Sequence, residues 1–292
     1  MAEYEKQETQ HGHSLIKMKI AVTGANGMLG QALCKAFSKH EIWALSSKDL
    51  DITSLSAVQT LFSDLKPDWI IHSAAFTDVD NAELNISAAH RVNALGTRNV
   101  AKTAFDNRCN ILYYSTDYVF DGNLNRPYHE WDLTGPVNEY GRSKLAGEVF
   151  VRSLCPSHLI VRTSWLFGSG GTHFVKKILQ NAKKKERLQI VDDQRGSPTF
   201  TSDLAYLTLY LVEAKKNGTY HATNSGNCSW YEFACKIVSL SGINVQIDPI
   251  SSSNFSSTQR PPYSVLHNYL LELEEIPLLR PWESALESYL RI

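Results

Sequence analysis

Short apolar runs alternate with amphipathic segments along residues 18–168. The runs have the length of buried strands and lie at 19–23, 42–45, 67–72, 111–114 and 159–162. A helical pattern follows each of the first runs, and one such pattern extends from about 88 to 105. Because strands and helices alternate, the sequence predicts an α/β fold of the Rossmann type: a doubly wound parallel sheet with right-handed crossovers.

The pattern changes after the glycines at 168–171. Helices are predicted near 202–214, 229–241 and 282–290, and short strands near 188–191 and 219–222. We therefore predict a dinucleotide-binding domain at 18–168 and a smaller C-terminal α/β substrate-binding lobe at 169–292, from which the chain can cross back into the first domain. Residues 1–17 are polar and lack the apolar core of a signal peptide, which predicts a disordered tail.

A glycine turn joins the first predicted strand to the first predicted helix. Gly24, Gly27 and Gly30 have the spacing G-x-x-G-x-x-G. Glycines let a pyrophosphate approach the backbone closely, and the start of a helix supplies free N–H groups and a positive dipole end. The turn thus predicts a dinucleotide phosphate site, with a turn that serves packing alone as the alternative.

The end of the second strand bears on cofactor choice. Ser46, Ser47 and Lys48 stand where an NAD-binding fingerprint carries an acidic residue for the ribose 2′-hydroxyl. Two hydroxyls and an ammonium group suit a 2′-phosphate, which a carboxylate would repel, so the sequence favours NADPH with NADH as an alternative. Asp51 is predicted to flank the adenine, with Ile52; the alternative is that Asp51 or Thr53 caps the next helix.

Two further positions are predicted to shape the cofactor site. Ala74 and Ala75 follow the third strand, and such small residues let a dinucleotide lie close over the sheet. Asn93 lies inside a helical pattern that its side chain disfavours, so its amide is predicted to bond neighbouring backbone or to shape the site.

The fourth strand and the helix after it carry the candidate chemistry. Thr116 comes at the strand's carboxyl end, where open α/β sheets bind their ligands. Tyr140 and Lys144 are four residues apart and share one helix face. A phenol beside an ammonium group has a lowered pKa and can protonate an oxyanion. The alternative is an ordinary solvated helix face.

Composition excludes several classes of function. The chain has 292 residues and a net charge of -1, which gives no electrostatic case for nucleic acid or an anionic membrane. Its five cysteines are scattered, which is typical of reduced thiols in a cytoplasmic protein. No apolar run reaches the roughly 18–20 residues of a membrane helix, and the sequence has no zinc motif.

The motifs together resemble the extended short-chain dehydrogenase/reductase superfamily, and most closely its dTDP-4-dehydrorhamnose reductase family. The resemblance covers nearly all of 18–292. Its motifs are the glycine turn at 22–30, Ser-Thr-Asp-Tyr-Val-Phe-Asp-Gly at 115–122, Tyr-Gly-Arg-Ser-Lys at 140–144, Arg-Thr-Ser-Trp at 162–165 and Asp-Gln-Arg-Gly-Ser-Pro-Thr at 193–199.

The resemblance implies a function and a set of site residues. The reaction would be NADPH-dependent reduction of the 4-keto group of dTDP-4-dehydro-L-rhamnose to dTDP-L-rhamnose, with catalysis by Thr116, Tyr140 and Lys144. The implied cofactor contacts are Gly27, Met28, Leu29, Asp51, Ile52, Ala74, Ala75, Phe76 and Tyr114. The implied substrate contacts are Thr116, Asp117 and Trp165, with Arg195 and Arg260 as candidates for the nucleotide diphosphate.

Some members of this family bind magnesium at a dimer interface. The helix start at Gln31, Ala32 and Leu33 offers no carboxylate here, which argues against magnesium and against a homodimer that depends on it. The competing functions are those of nucleotide-sugar epimerases, of 4,6-dehydratases, of another nucleotide-sugar 4-ketoreductase, and of a non-catalytic regulatory subunit like that of methionine adenosyltransferase. In a dehydratase the residue after Asp117 would be a glutamate, whereas this chain has Tyr118.

Overall fold

A computed structural model describes residues 17–254 and 258–291. The predicted tail, apart from Lys17, lies outside the described residues. The strands are β1 (Lys19–Thr23), β2 (Glu41–Leu45), β3 (Trp69–His72), β4 (Asn110–Thr116), β5 (His158–Thr163), β6 (Leu166–Phe167), β7 (Arg187–Val191), β8 (Arg195–Gly196), β9 (Thr199–Phe200), β10 (Gly218–His221), β11 (Cys228–Ser229) and β12 (Gln246–Ile250).

Helices separate most of these strands. The α-helices are α1 (Met28–Ala36), α2 (Leu55–Leu65), α3 (Val79–Leu84), α4 (Ile86–His90), α5 (Thr97–Asp106), α6 (Glu139–Leu154), α7 (Phe174–Ala182), α8 (Thr201–Glu213), α9 (Trp230–Ser241), α10 (Tyr269–Leu273) and α11 (Trp282–Leu290). Single 3₁₀ turns lie at Asp117–Val119 and Ser252–Asn254, and a π-helical segment at Arg91–Gly96.

The central sheet has six strands in the order β2-β1-β3-β4-β5-β10, and every neighbouring pair is parallel. Consecutive connections run in opposite directions on either side of β1. A crevice therefore opens at the carboxyl ends of β1 and β3, where such sheets bind ligands. This confirms the predicted Rossmann-type parallel sheet.

Alternate residues of the strands pack on opposite faces of the sheet. On β4, Leu112 packs with α1 and α8, whereas Ile111 packs with α2 and α5, and both side chains are fully buried. A side chain of this kind stabilises the fold by about 1.5–3 kcal/mol when it is removed from water. Burial on both faces explains why the strands appear in the sequence as continuous apolar runs.

The chain crosses back into the central sheet after β9. Helix α8 packs against α1, and β10 pairs with β5 at the sheet edge. The strand predicted near 219–222 therefore belongs to the central sheet. The helix predicted near 202–214 packs on that sheet rather than in the C-terminal lobe.

The rest of the C-terminal half forms its own core. Strands β7 and β12 pair in parallel, and α7, α9 and α11 pack around the buried Phe233. A division of the chain at residue 168 stays a prediction.

The helix predicted at about 88–105 is interrupted. Its middle, Arg91–Gly96, is π-helical and joins α4 to α5. Asn93 lies in this segment and is fully buried, with its amide bonded to another part of the chain. Widened turns of this kind occur at functional sites, where they redirect side chains.

Candidate active site

A cavity of about 1070 Å³ lies at the carboxyl ends of the central strands. Ligand pockets usually measure about 300–1,000 Å³, so this cavity lies at the upper end of that range and has room for a ligand as large as a dinucleotide. It is lined by most of the residues that the sequence singled out: Gly24, Gly27, Met28, Leu29, Gly30, Ser46, Ser47, Asp51, Ile52, Ala74, Ala75, Tyr114, Thr116, Asp117, Tyr140, Lys144 and Trp165.

The glycine turn forms one end of this cavity. Gly27 is the N-cap of α1, where no side chain caps the helix and no acidic residue stands in the first turn. A Cβ atom at Gly30 would lie 2.2 Å from the Gly24 carbonyl oxygen, so only glycine permits this close packing. The free N–H groups and the positive dipole end of α1 thus face the cavity and fit a pyrophosphate.

The end of β2 is less simple than the sequence suggested. The Asp49 carboxylate accepts hydrogen bonds from the Ser46 backbone N–H at 2.8 Å and from the Ser46 hydroxyl at 2.5 Å. These hydrogen bonds from Ser46 lower the pKa of Asp49, so the carboxylate is ionised at neutral pH. The chain therefore turns back after Lys48 and brings an ionised carboxylate next to Ser46, a contact that the sequence pattern did not indicate. Asp49 itself does not line the cavity.

Asp51 lines the cavity and does not cap a helix. Its carboxylate accepts hydrogen bonds from the backbone and the hydroxyl of Thr53, at 2.9 and 2.7 Å. The N-cap of α2 is Ser54, whose side chain accepts a hydrogen bond from Ala57. Neither Asp51 nor Thr53 is therefore the helix cap, which was the alternative that the sequence allowed.

Thr116 and Asp117 end β4 and form a buried polar pair. The Thr116 hydroxyl donates to the Asp117 carboxylate at 3.0 Å, and the Ser264 hydroxyl donates to the same carboxylate at 2.5 Å. Burial raises the pKa of Asp117 to about 7, although these two hydrogen bonds oppose the shift. Thr116 is thereby held beside a carboxyl group that is about half protonated at neutral pH.

Helix α6 brings Tyr140 and Lys144 to the same cavity. Asn138 caps the helix by accepting a hydrogen bond from the Gly141 N–H at 2.8 Å. The Lys144 ammonium donates to the Tyr114 carbonyl oxygen at 2.6 Å and lies 4.1 Å from the centre of the Tyr113 ring. A strand and a helix thus hold the lysine from two sides, and it is almost fully buried.

The two pKa values differ from the sequence-based expectation. Burial raises the pKa of Tyr140 to about 12, with a hydrogen bond to Thr116 acting in the opposite direction. Burial also lowers the pKa of Lys144 to about 7, which the Glu148 carboxylate partly offsets. The predicted lowering of the phenol pKa by Lys144 is therefore wrong, since desolvation dominates at both groups.

A buried ion pair lies behind Lys144. Glu148, one helical turn further on, is bound by the Arg162 guanidinium through Nε and Nη2, both at 2.9 Å. Burial alone would raise the pKa of Glu148, but Arg162 outweighs it and holds the pKa at about 2. The pair anchors α6 to β5.

We expect Arg162→Met to destabilise the protein by about 3–5 kcal/mol, because Glu148 would stay buried without its main partner. Because the pKa of Glu148 lies below the value of about 4.3 for a free glutamate, the stabilisation is complete above that pH and is lost as the pH falls through about 2. Urea unfolding at pH 7 measures the loss. Arg152 also bonds Glu148 but is 37 % exposed, so Arg152→Met is the control and should cost at most about 1 kcal/mol. Equal losses in the two variants would contradict the assignment.

Some of the predicted site residues do not line the cavity. Lys48 is exposed beside it. The buried Asn93 amide bonds both backbone groups of Phe76, at 2.7 and 2.9 Å, and the Ser143 hydroxyl at 2.9 Å. Asn93 therefore fixes the loop at Phe76 against α6, as predicted for its amide. Direct cofactor contacts by Lys48, Phe76 and Asn93 stay predictions.

The two candidate arginines are engaged elsewhere. Arg195 forms an ion pair with Glu232 at 3.0 Å, and Arg260 forms one with Asp80 at 2.8 Å. Neither lines the cavity. Their contact with a nucleotide diphosphate stays a prediction, and it would require both ion pairs to rearrange.

Other lining residues were not foreseen. Phe174 and Trp230 come from the C-terminal lobe and line the cavity beside Trp165, a contact between distant segments that no local pattern signals. Thr163 also lines it, and its buried hydroxyl has no hydrogen-bond partner among the described residues. Thr163 could have been predicted as a site residue from its place at the end of β5, where it pairs with Thr116.

Within residues 17–254 and 258–291, no group of three or more His, Cys, Asp or Glu side chains could hold a metal ion. The same residues contain no helix that is long and apolar enough to span a membrane.

Comparisons with known proteins identify relatives over almost the whole chain. The family model described as RmlD substrate binding domain matches residues 18–292. The spore coat polysaccharide biosynthesis protein SpsK of Bacillus subtilis is 39% identical over 94% of this chain and 97% of its own length. A dTDP-4-dehydrorhamnose reductase of Aggregatibacter actinomycetemcomitans is 36% identical over 92% of this chain and 97% of its own.

A solved structure agrees with the sequence comparison. The crystal structure of dTDP-4-dehydrorhamnose reductase from Bacillus anthracis in complex with NADP is 40% identical, covers 94% of this chain and 99% of that chain, and superimposes with a TM-score of 0.92. The glycine turn, the Thr116–Tyr140–Lys144 arrangement and these matches lead to one conclusion: the chain belongs to the dTDP-4-dehydrorhamnose reductase family.

Proposed function

We propose that this protein is a reductase that uses NADPH, with NADH as an alternative, to convert the 4-keto group of dTDP-4-dehydro-L-rhamnose into the hydroxyl group of dTDP-L-rhamnose. One observation carries the proposal. Thr116, Tyr140 and Lys144 come from a strand end and a helix and line the same cavity as the glycine turn at the start of α1. The relatives named above, two of them dTDP-4-dehydrorhamnose reductases, support it.

The chain's residues would divide the work as follows. NADPH held at the glycine turn would supply the hydride for the carbonyl carbon of the sugar. Tyr140 gives its phenolic proton to the carbonyl oxygen, and water then returns a proton to the phenolate. Thr116, whose hydroxyl donates to Asp117 in this structure, would turn that proton toward the same oxygen as negative charge develops on it. The raised pKa of Tyr140 keeps the phenol protonated at neutral pH, which is the form that a reduction requires.

Lys144 would serve the cofactor and the acid together. It already donates to the Tyr114 carbonyl, and its ammonium group would also bind a ribose hydroxyl of the cofactor. When charged, it would stabilise the phenolate that Tyr140 becomes after giving up its proton. These roles for Thr116, Tyr140 and Lys144 are proposals that mutagenesis can test.

The competing functions fit the site less well. A dehydratase needs a base after Asp117 to remove a proton from carbon, but burial raises the pKa of Tyr118 above its ordinary value and keeps it protonated. A purely regulatory subunit needs no catalytic set in a cavity of this size. The direct test is to measure NADPH oxidation with dTDP-4-dehydro-L-rhamnose and a panel of other 4-keto sugar nucleotides. Absence of oxidation with every member of the panel would refute the reductase.

Lys48→Glu is expected to weaken NADPH binding about fivefold, because an exposed charge near the 2′-phosphate contributes about 1 kcal/mol. NADH, which lacks that phosphate, should bind nearly as before. Fluorescence titration of both cofactors measures the difference, and Lys35→Glu on the distant end of α1 is the control for a change in net charge. An equal loss for the two cofactors would show that Lys48 does not face the 2′-phosphate.

We further propose a cytoplasmic enzyme that forms a homodimer without magnesium. Two observations support the independence from magnesium. The first turn of α1 carries no acidic side chain, and the Gln31 side chain donates to the Asn26 carbonyl at 2.9 Å. Light scattering with and without EDTA tests the dimer and its metal dependence together.

A further inference from the structure

Trp165 adopts a backbone conformation that bulky residues rarely take. Its φ is 48°, in the left-handed region, directly after β5 ends at Thr163. Such conformations persist only where the surroundings hold them, and they cluster at functional sites. The Trp165 side chain is half-buried and lines the cavity, so the turn delivers an indole to the site.

Two residues from the C-terminal half hold this indole. The Trp230 ring stacks on it with centroids 3.4 Å apart and planes within 5°. Gly196 meets its Nε1–Cε2 side so closely that a Cβ atom there would lie 2.4 Å from Cε2. No other side chain would fit at Gly196 while the indole stays in place. We call Trp165, Gly196 and Trp230 the indole clamp.

The two holding residues belong to one rigid unit. Trp230 is the first residue of α9, whose capping box joins Ser229 and Glu232 by hydrogen bonds of 2.8 and 3.0 Å. Strands β8 and β11 pair Gly196 with Cys228. Arg195 then binds Glu232 at 3.0 Å. The position of Trp230 is therefore tied to that of Gly196 from both sides.

This unit accounts for a motif that the reaction does not use. Asp192, just before the Asp-Gln-Arg-Gly segment, accepts a hydrogen bond from the Ser229 hydroxyl at 2.5 Å. Together with Arg195 and Gly196, it joins the start of α9 to the loop under the indole. The segment at 192–196 thus holds the indole clamp rather than facing the cavity.

We propose that Trp230 is a positioning residue of the substrate site, which acts with Gly196 to hold the Trp165 indole in one orientation toward the sugar nucleotide. This rests on the proposed function. Both tryptophans are half-buried and line the cavity, whereas a pair that served packing alone would be buried. An indole fixed before binding loses little freedom when the substrate arrives, which favours affinity and correct placement of the carbonyl.

The test compares Trp230→Leu with the conservative Trp230→Phe. The leucine variant should lose up to about tenfold in kcat/KM for the sugar nucleotide, because an indole that is no longer held must be ordered when the substrate binds. The loss should lie mainly in KM, with the Kd of NADPH unchanged, and phenylalanine should restore most of it. Far-ultraviolet circular dichroism should show the split band of two stacked indoles in the wild type and lose it in both variants.

A second pair of variants tests the clamp without removing an aromatic ring. Gly196→Ala should weaken the split band and raise KM because its Cβ displaces the indole. Gly135→Ala is the matched control, since a Cβ there meets only Asp121 at 3.6 Å. Should Trp230→Leu fail to fold, this pair carries the test.

Two results would overturn the proposal in distinguishable ways. If the wild type is active and Trp230→Leu or Gly196→Ala loses the split band but keeps the wild-type KM, the orientation of the indole does not matter and the inference fails alone. If the wild type reduces no 4-keto sugar nucleotide, the proposed function fails and the inference fails with it.

Discussion

Tyr140→Phe is expected to lower kcat by about 10²–10⁴, the usual effect of removing a positioned general acid. The substitution deletes one oxygen at the edge of an open cavity, so the fold should persist. The Tyr140 ring lies edge-on to Tyr118, with centroids 5.9 Å apart, and phenylalanine keeps that contact. Binding of NADPH should change little because the phenol's task lies at the carbonyl.

The measurement is NADPH oxidation under saturating sugar nucleotide, together with a fluorescence titration of the cofactor. Tyr118→Phe is the matched control, because it removes a neighbouring phenol from the same cavity and leaves Tyr140 intact. Turnover of Tyr140→Phe near the wild-type rate would return Tyr140 to the role of an ordinary helix residue. A large loss in Tyr118→Phe with little in Tyr140→Phe would move the acid to the other phenol.

Lys144→Met is expected to lower turnover by about 10²–10⁴ and also to weaken NADPH binding, because the same ammonium group supports the acid and the cofactor. The methionine side chain has a similar length and suits a buried position, so the variant should fold. Lys102→Met, at an exposed ion pair with Asp106, is the control and should change neither property.

The pH dependence of cofactor binding distinguishes the charge of Lys144 from its shape. Burial lowers the pKa of this lysine to about 7 in the free protein, so its charge is lost as the pH rises through that value. An anionic cofactor prefers the charged form, and the Kd of NADPH should therefore rise by up to about tenfold per pH unit above the pKa. Lys144→Met should bind weakly at every pH and show no such slope. The same slope in the variant would mean that another group titrates.

Local rules were sufficient to predict much of the site. Gly24, Gly27 and Gly30 follow a strand and precede a helix, and that order alone predicts a phosphate site. Thr116 was predicted because it ends an apolar run, and the Tyr140–Lys144 pair was predicted because residues four apart share one face of a helix. All of these line the cavity. Their positions could be predicted because each depends on spacing within one or two neighbouring elements, whereas their roles stay predictions.

The pKa values could not be predicted in the same way. The spacing of Lys144 and Tyr140 suggested a lowered phenol pKa. In the structure the pKa of Tyr140 is raised and the pKa of Lys144 is lowered. The reason is burial, which depends on how completely β4, the π-helical segment and α6 cover the two side chains. Asn93 contributes by bonding Phe76 and Ser143 on different segments.

The sequence by itself determined the order of strands and helices, the glycine turn and the three candidate catalytic positions, because these follow from local periodicity and from where a strand ends. Tertiary structure alone decided that β10 and α8 return to the central sheet, that Arg195 binds Glu232, and that Trp230 stacks on Trp165. Each of these contacts joins segments far apart in the chain. Their partners are selected by packing and charge in the folded molecule, and no repeat or spacing in the sequence encodes that choice.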